Sequence, residues 1–284
     1  MQDEARRRGA RSLLITFDRH PRSVFAPDQT PRLLTSAEEK MALLRATGID
    51  ELYVLSFDRA MAALSARQFM QKVLKEQLGV TGLVMGYDHH FGRPQGEGFD
   101  DYCAYGHELG IDVVKAHELE GEHVSSSAIR RALEAGDVAR ATRLLGRPYT
   151  WAGRVVHGHA VGRQLGFPTA NLERQLAEKV LPAGGAYAVL IRPLPDASSA
   201  AHGDGLPSGT VVKGMLNIGH RPTLDNGDDV SVEAHLFDFH RDLYGQQLAV
   251  SFIARLRDER RFASEADLAH QLQLDREHAL LALQ

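Results

Sequence analysis

The pattern of apolar runs changes once along these 284 residues, near Arg147–Pro148, and that change limits the folds open to the chain. Upstream, SLLITF (12–17), ELYVLSF (51–57), TGLVMG (81–86) and IDVVKA (111–116) read as strands. Between them, SAEEKMALLRATG (36–48), SARQFMQKVLKEQLG (65–79) and a stretch near 99–109 read as helices. Ser36 with Glu39 three residues on, and Ser65, mark helix starts, because their side chains can satisfy the first free backbone N–H groups. Gly79 marks a helix end. Strands alternating with helices predict an α/β domain with a parallel sheet, which binds ligands at the carboxyl ends of its strands. The helical SSSAIRRALEAGD and VARATRLLG close this part. Beyond Pro148 the strand candidates are TWAGRVVHG, AYAVLIRP, TVVKGMLNIG, VSVEAHLFDF and QQLAVSFIARL, broken by glycine turns. Short strands with little helix predict an antiparallel β-barrel, followed by one helix over 264–283. The expected domains are therefore 1–147 and 148–284, with 193–209 as a polar insertion.

Composition narrows the functional classes. The length allows two domains that each bury a core. With 43% hydrophobic and 25% charged residues, the chain lies in the globular range. A formal charge of −4 gives no reason to expect a nucleic-acid partner. Cys103 is the single cysteine, which excludes an internal disulfide framework and fits a reducing cytosol, so a cytoplasmic protein is expected. No apolar run approaches the roughly 18 residues of a membrane helix, so no membrane partner is expected. Near the start, Arg6, Arg7, Arg8 and Arg11 accompany Asp3 and Glu4, an acidic pair unsuited to a transit peptide. DEARRRGARSLLITF reads as the end of a helix running into a strand, so this domain opens in mid-element.

The chemistry concentrates in GRVVHGHAVGRQLGFPTAN (153–171). Gly158, Gly162 and Gly166 leave a backbone without Cβ atoms, able to close its amides on a bulky anion. Thr169 offers a hydroxyl and Asn171 an amide oxygen, both hard donors suited to Mg²⁺ bound with phosphates. No Gly-Lys-Ser/Thr follows, so this is not a Walker loop. On spacing alone, a plain glycine-rich hairpin is the competing reading, with Arg163 as a solvent-facing loop residue. In VSVEAHLF, alternation puts Val230, Val232, Ala234 and Leu236 on one face and Ser231, Glu233 and His235 on the other. Glu233 then reads either as an exposed strand glutamate or as a carboxylate facing a cavity. His157, His159 and His235 do not have the spacing of a zinc set.

The run HGxxxGRxLGFPTAN resembles the riboflavin kinase signature, and its companions are Glu233, DLYG (242–245) and LRDERRF (256–262). Upstream, GYDHHFG (86–92) and SSSAIR (125–130) resemble an adenylyltransferase module. Together they are similar to the bacterial bifunctional riboflavin kinase/FAD synthetase family over almost the whole chain. The resemblance implies a nucleotidyltransferase-like, Rossmann-like N-terminal domain and a riboflavin kinase barrel. It implies riboflavin, FMN and ATP as substrates or products, with Mg²⁺. Gly158, Gly162, Arg163 and Gly166 would cradle the phosphates, while Thr169 and Asn171 would bind Mg²⁺–ATP. Glu233 would be the general base, with Arg257 and Glu259 in the segment closing over flavin and nucleotide; Asn217 also matches a family segment.

The upstream half matches its family less completely. It carries TFDRHP with Asp18 and His20, GYDHHFG with Asp88 and Gly92, and the phosphate-gripping Ser126, Ser127 and Arg130. No His-x-Gly-His occurs anywhere in the sequence, although that family motif would stabilise charge on the α-phosphate and pyrophosphate. Either the reading frame begins further upstream or this domain is a variant that has lost catalysis; in both cases inefficient FAD synthesis is expected. The alternatives are a chain that retains both activities and a non-catalytic flavin-binding barrel.

Overall fold

The computed structural model describes residues 1–26, 30–86, 91–92, 96–116, 124–158, 166–174, 179–194, 205–221 and 229–284. Asp88, Gly162, Arg163 and His159 lie outside them. The chain forms two compact units: Met1–Pro31 with Thr35–Gly121, and Arg32–Leu34 with Glu122–Gln284.

In the first unit, strands β1 (Leu13–Phe17) and β2 (Glu51–Leu55) pair in parallel, as do β3 (Gly82–Met85) and β4 (Asp112–Lys115). The expected α/β alternation holds. Helix α1 spans Gln2–Arg7, short helices α2 and α4 span Arg22–Phe25 and Arg59–Ala62, and α3 spans Ala37–Arg45. Ser36 and Glu39 form a reciprocal capping box at the start of α3, and Ser65 and Gln68 form another at α5 (Ala66–Phe69). The chain continues from α5 as a π-helical segment, Met70–Gln77, and turns at Gly79 with φ +64. Met70, Val73 and Leu74 from that segment meet Leu55, Met85 and Tyr102 of α6 (Phe99–Leu109) in one core.

The second unit is a closed six-stranded barrel. Its strands are β5 (Tyr149–Val156), β6 (Ala170–Arg174), β7 (Gly185–Pro193), β8 (Val212–Arg221), β9 (Asp229–Leu236) and β10 (Gln247–Arg257). They run around the barrel in the order β10-β5-β6-β9-β8-β7, each pair antiparallel. Strand β6 was legible in the sequence only as the end of a glycine loop. It carries one core residue, Leu172, so its hydrophobic signal is a single residue. Inward-facing Trp151, Val189, Leu216, Val232, Ala234, Val250 and Phe252 fill the barrel, leaving its interior as core.

Helices α7 (Ser126–Glu134) and α8 (Val138–Leu145) pack on this same core through Ile129, Leu133, Val138 and Leu144. By contacts, then, the two units divide near Gly121, upstream of the residue-147 boundary expected from the change in pattern. Leu133 is fully buried, so Leu133→Ala should cost the barrel about 2–5 kcal/mol. Urea unfolding followed by fluorescence of Trp151, the single tryptophan, reads this. An unchanged midpoint would show that α7 is not part of the barrel's cooperative unit.

Candidate active site

Strand register assembles the site. Asn171 on β6 is the cross-strand partner of Glu233 on β9, and Glu233 is the partner of Asn217 on β8. The same row continues through Ala186 on β7 to Arg257 on β10. Partners across a sheet point to the same side and stand about 5 Å apart, so residues far apart in sequence become one line of side chains. Val232, Ala234 and Leu236 point into the core, which sends Glu233 and His235 outward. The cavity they face lies on the outer wall of the barrel, beneath the C-terminal helix (Glu265–Ala282), because the interior is filled. Its volume is about 280 Å³, at the small end for ligand sites.

At one end of the row sit the predicted phosphate groups. The Thr169 hydroxyl donates to Glu233 Oε2 at 3.4 Å. A Cβ on Gly158 would overlap the Asn171 side-chain amide, which gives this glycine a steric reason. Gly166 turns the chain with φ +81, a conformation that glycine adopts without strain. Just beyond it, the Pro168 carbonyl accepts a hydrogen bond from His235 Nδ1 at 2.8 Å, so Nδ1 carries the proton. His235 also packs edge-on against Phe167 and Phe237. It thus fixes the strand entry from which Thr169 and Asn171 project. His157 does something else, stacking on Tyr244 at 3.9 Å between ring centroids.

At the other end, Met215, Phe262, Leu268 and Leu272 give the cavity an apolar lining beside Arg257, Glu259 and Arg260. A Cβ on Gly219 would lie 3.1 Å from Asn217 Nδ2 and 3.2 Å from Glu259 Oε1, so these two side chains close over the bare backbone there. Arg257 makes a two-point ion pair with Asp275 of the C-terminal helix, Nε to Oδ2 at 3.0 Å and a terminal nitrogen to Oδ2 at 2.8 Å. Sequence reasoning missed Asp275, His235 and the aromatic lining. For Asp275 a signal existed: Leu268, Leu272, Asp275, Ala279 and Leu283 follow helical spacing, and a charge occupies a slot reserved for an apolar residue.

In the first unit, Asp18 and His20 follow the carboxyl end of β1, where parallel sheets bind ligands. The Phe57 N–H donates to Asp18 at 3.0 Å; this bond and the Arg19 charge hold its carboxyl below the usual carboxylate range. His20 Nδ1 accepts from the Arg22 N–H at 3.1 Å. Ser126, Ser127 and Arg130 belong to the second unit, at the start of α7, where Ser125 is the N-cap and accepts from the Ala128 N–H. Arg130 there donates to the Arg32 carbonyl at 2.6 Å.

Burial holds His235 below the ordinary histidine value, reinforced by Arg276 and opposed by the Pro168 bond and Asp238. The unfolded chain therefore takes up this proton at higher pH than the folded one, and stability falls as pH drops through about 6.5 toward the depressed folded value. His235→Asn keeps a donor for Pro168 but removes the titration. Its melting temperature should fall less steeply between about pH 7.5 and 5.5 than that of the parent; parallel slopes would contradict this.

A family model described as FAD synthetase matches residues 1–128, and one described as riboflavin kinase matches 145–283. A bifunctional riboflavin kinase/FMN adenylyltransferase of Pseudomonas fluorescens is 38% identical over 266 residues, 93% of this chain and 80% of that protein. The protein of the same description from Escherichia coli K12 is 36% identical over 282 residues, 97% of this chain and 83% of that one. Among solved structures, a Streptococcus pneumoniae chain described as a macrolide-efflux protein has a TM-score of 0.81 and 32% identity, covering 97% of this chain and 85% of its own. Among the described residues here, no helix is long and apolar enough to cross a membrane. By sequence similarity along both units, the chain belongs to the bifunctional riboflavin kinase/FMN adenylyltransferase family.

Proposed function

We propose that the barrel transfers the γ-phosphoryl group of ATP to the 5′-hydroxyl of riboflavin, giving FMN and ADP. The observation that carries this reading is the placement of Glu233 between Asn171 and Asn217 in one cross-strand row, with Glu233 and Asn217 on the cavity wall. Phosphoryl transfer rests on positioning and charge stabilisation around an in-line geometry. Glu233, central in the row, accepts the proton of the attacking hydroxyl. Thr169, Asn171 and the glycine loop with Gly158, Gly162, Arg163 and Gly166 take the nucleotide on the β6 side. The apolar lining on the β8, β7 and β10 side suits a flat ring system, with Arg257 and Glu259 closing over it.

Mg²⁺ fits the residues present. The Thr169 hydroxyl and the Asn171 amide oxygen are hard donors, and Mg²⁺ commonly takes few protein ligands and completes its shell with phosphate oxygens and water. The missing Cβ of Gly158 lets the Asn171 amide lie against the backbone of the glycine loop. Bound with ATP, the ion would neutralise charge on the phosphates. The substrates are small molecules, and a cytoplasmic setting without nucleic-acid or membrane partners completes the proposal. We assign the kinase half to 148–284 and the adenylyltransferase-like half to 1–147.

For adenylyl transfer to FMN the family resemblance offers Asp18 and His20 at the end of β1 and Asp88, and separately Ser126, Ser127 and Arg130 at the start of α7. The sequence has no His-x-Gly-His, so FMN is the expected main product. FAD formed by the same chain would show that other residues serve in place of those histidines.

Glu233→Gln keeps the shape of the side chain and removes its basicity. It should lower kcat for FMN formation by about 10²–10⁴-fold, the usual contribution of a general base, with the melting temperature close to that of the parent. Turnover within a few-fold of the parent would remove Glu233 from this role.

A further inference from the structure

We infer that Asp275 is a positioning residue for the flavin side of the site, holding the Arg257 guanidinium in place at the cavity wall. The inference rests on the riboflavin kinase reading above. Asp275 is 2% exposed and sits in the middle of the C-terminal helix, in line with Leu268, Leu272, Ala279 and Leu283. A buried carboxylate in an apolar stripe is costly unless it is fully paired. Here its pairing is specific. Arg257 Nε lies 3.1 Å and 3.0 Å from the two carboxylate oxygens. One turn earlier on the helix, Gln271 Nε2 donates to Asp275 Oδ1 at 2.9 Å, and Gln271 Oε1 accepts from Arg260 at 2.9 Å. The amide is thereby locked in one orientation, donating to the acid and accepting from the base.

The resulting chain, Arg257–Asp275–Gln271–Arg260, brings both guanidinium groups to Phe262, at 5.6 Å and 4.8 Å from its ring centroid. All five of these side chains except Gln271 line the cavity. The helix thus supplies no atom to the reacting centre, yet it fixes the charged part of the wall beside the apolar lining. Arg257 stands three strands from Glu233 in the row, across β8 and β7, on the side away from Thr169 and Asn171. Releasing it should disturb the flavin and leave the nucleotide and the proton acceptor in place. Such an effect falls on KM for one substrate, with kcat preserved.

Steady-state phosphorylation by the full chain tests this with D275N, R257M and the double variant. D275N preserves volume but loses the charge and one acceptor oxygen. It should raise KM for riboflavin about tenfold while kcat and KM for ATP stay within about threefold. D275E, which restores the charge, should recover part of that loss. In the R257M background, D275N should add little, since both changes remove one interaction. An unaltered riboflavin KM in a folded D275N protein overturns the inference, as does an equal rise in both Arg257 backgrounds. If circular dichroism shows D275N to be unfolded, R257M/D275L replaces the pair with apolar side chains, a change that cores often tolerate. A raised riboflavin KM in that folded variant supports the assignment, and a parental KM overturns it. Failure of the kinase reading is separate: the parent chain itself would then make no FMN.

Discussion

Everything in the second unit depends on the antiparallel seam between β6 and β9. That seam pairs Ala170 with Ala234 and Asn171 with Glu233. It closes the barrel, and its second pair is also the centre of the candidate site. Inward, Leu172 and Ala234 complete the core; outward, Glu233 lines the cavity with Asn171 beside it on the neighbouring strand. Because side chains alternate with period two, a one-residue slip would send Glu233 into the core and Ala234 to the cavity. Folding energy in the core therefore fixes the register on which the chemistry depends.

The walls of the cavity are held from outside the barrel. His235 anchors the Pro168 carbonyl on the nucleotide side, and Asp275 anchors Arg257 on the far side. Each is a polar group buried among apolar residues and hydrogen-bonded to the group it holds, an arrangement that costs stability if either partner is lost. The site is thus a strip of one sheet face, covered by a helix and pinned at two ends.

Much of this was legible in the residues. The alternation in VSVEAHLF placed Glu233 opposite the core face, and the capping residues Ser36 and Ser65 placed two helix starts correctly. Strand β6 was not legible, because a single core leucine between polar residues carries no periodicity. The location of the cavity was not legible either, since alternation tells inside from outside but not which outside surface a distant helix covers. Nor did the sequence show that α7 and α8 join the barrel core: their apolar stripes announce burial without naming the partner. Asp275 was visible as an irregularity in a stripe, and only the fold supplied its partner.

The most direct measurement is to incubate the chain with riboflavin, Mg²⁺ and ATP labelled at the γ-phosphate, and to separate the flavin products by chromatography. The label should appear in FMN. Consumption of ATP without a labelled flavin, or riboflavin recovered unchanged, would contradict it.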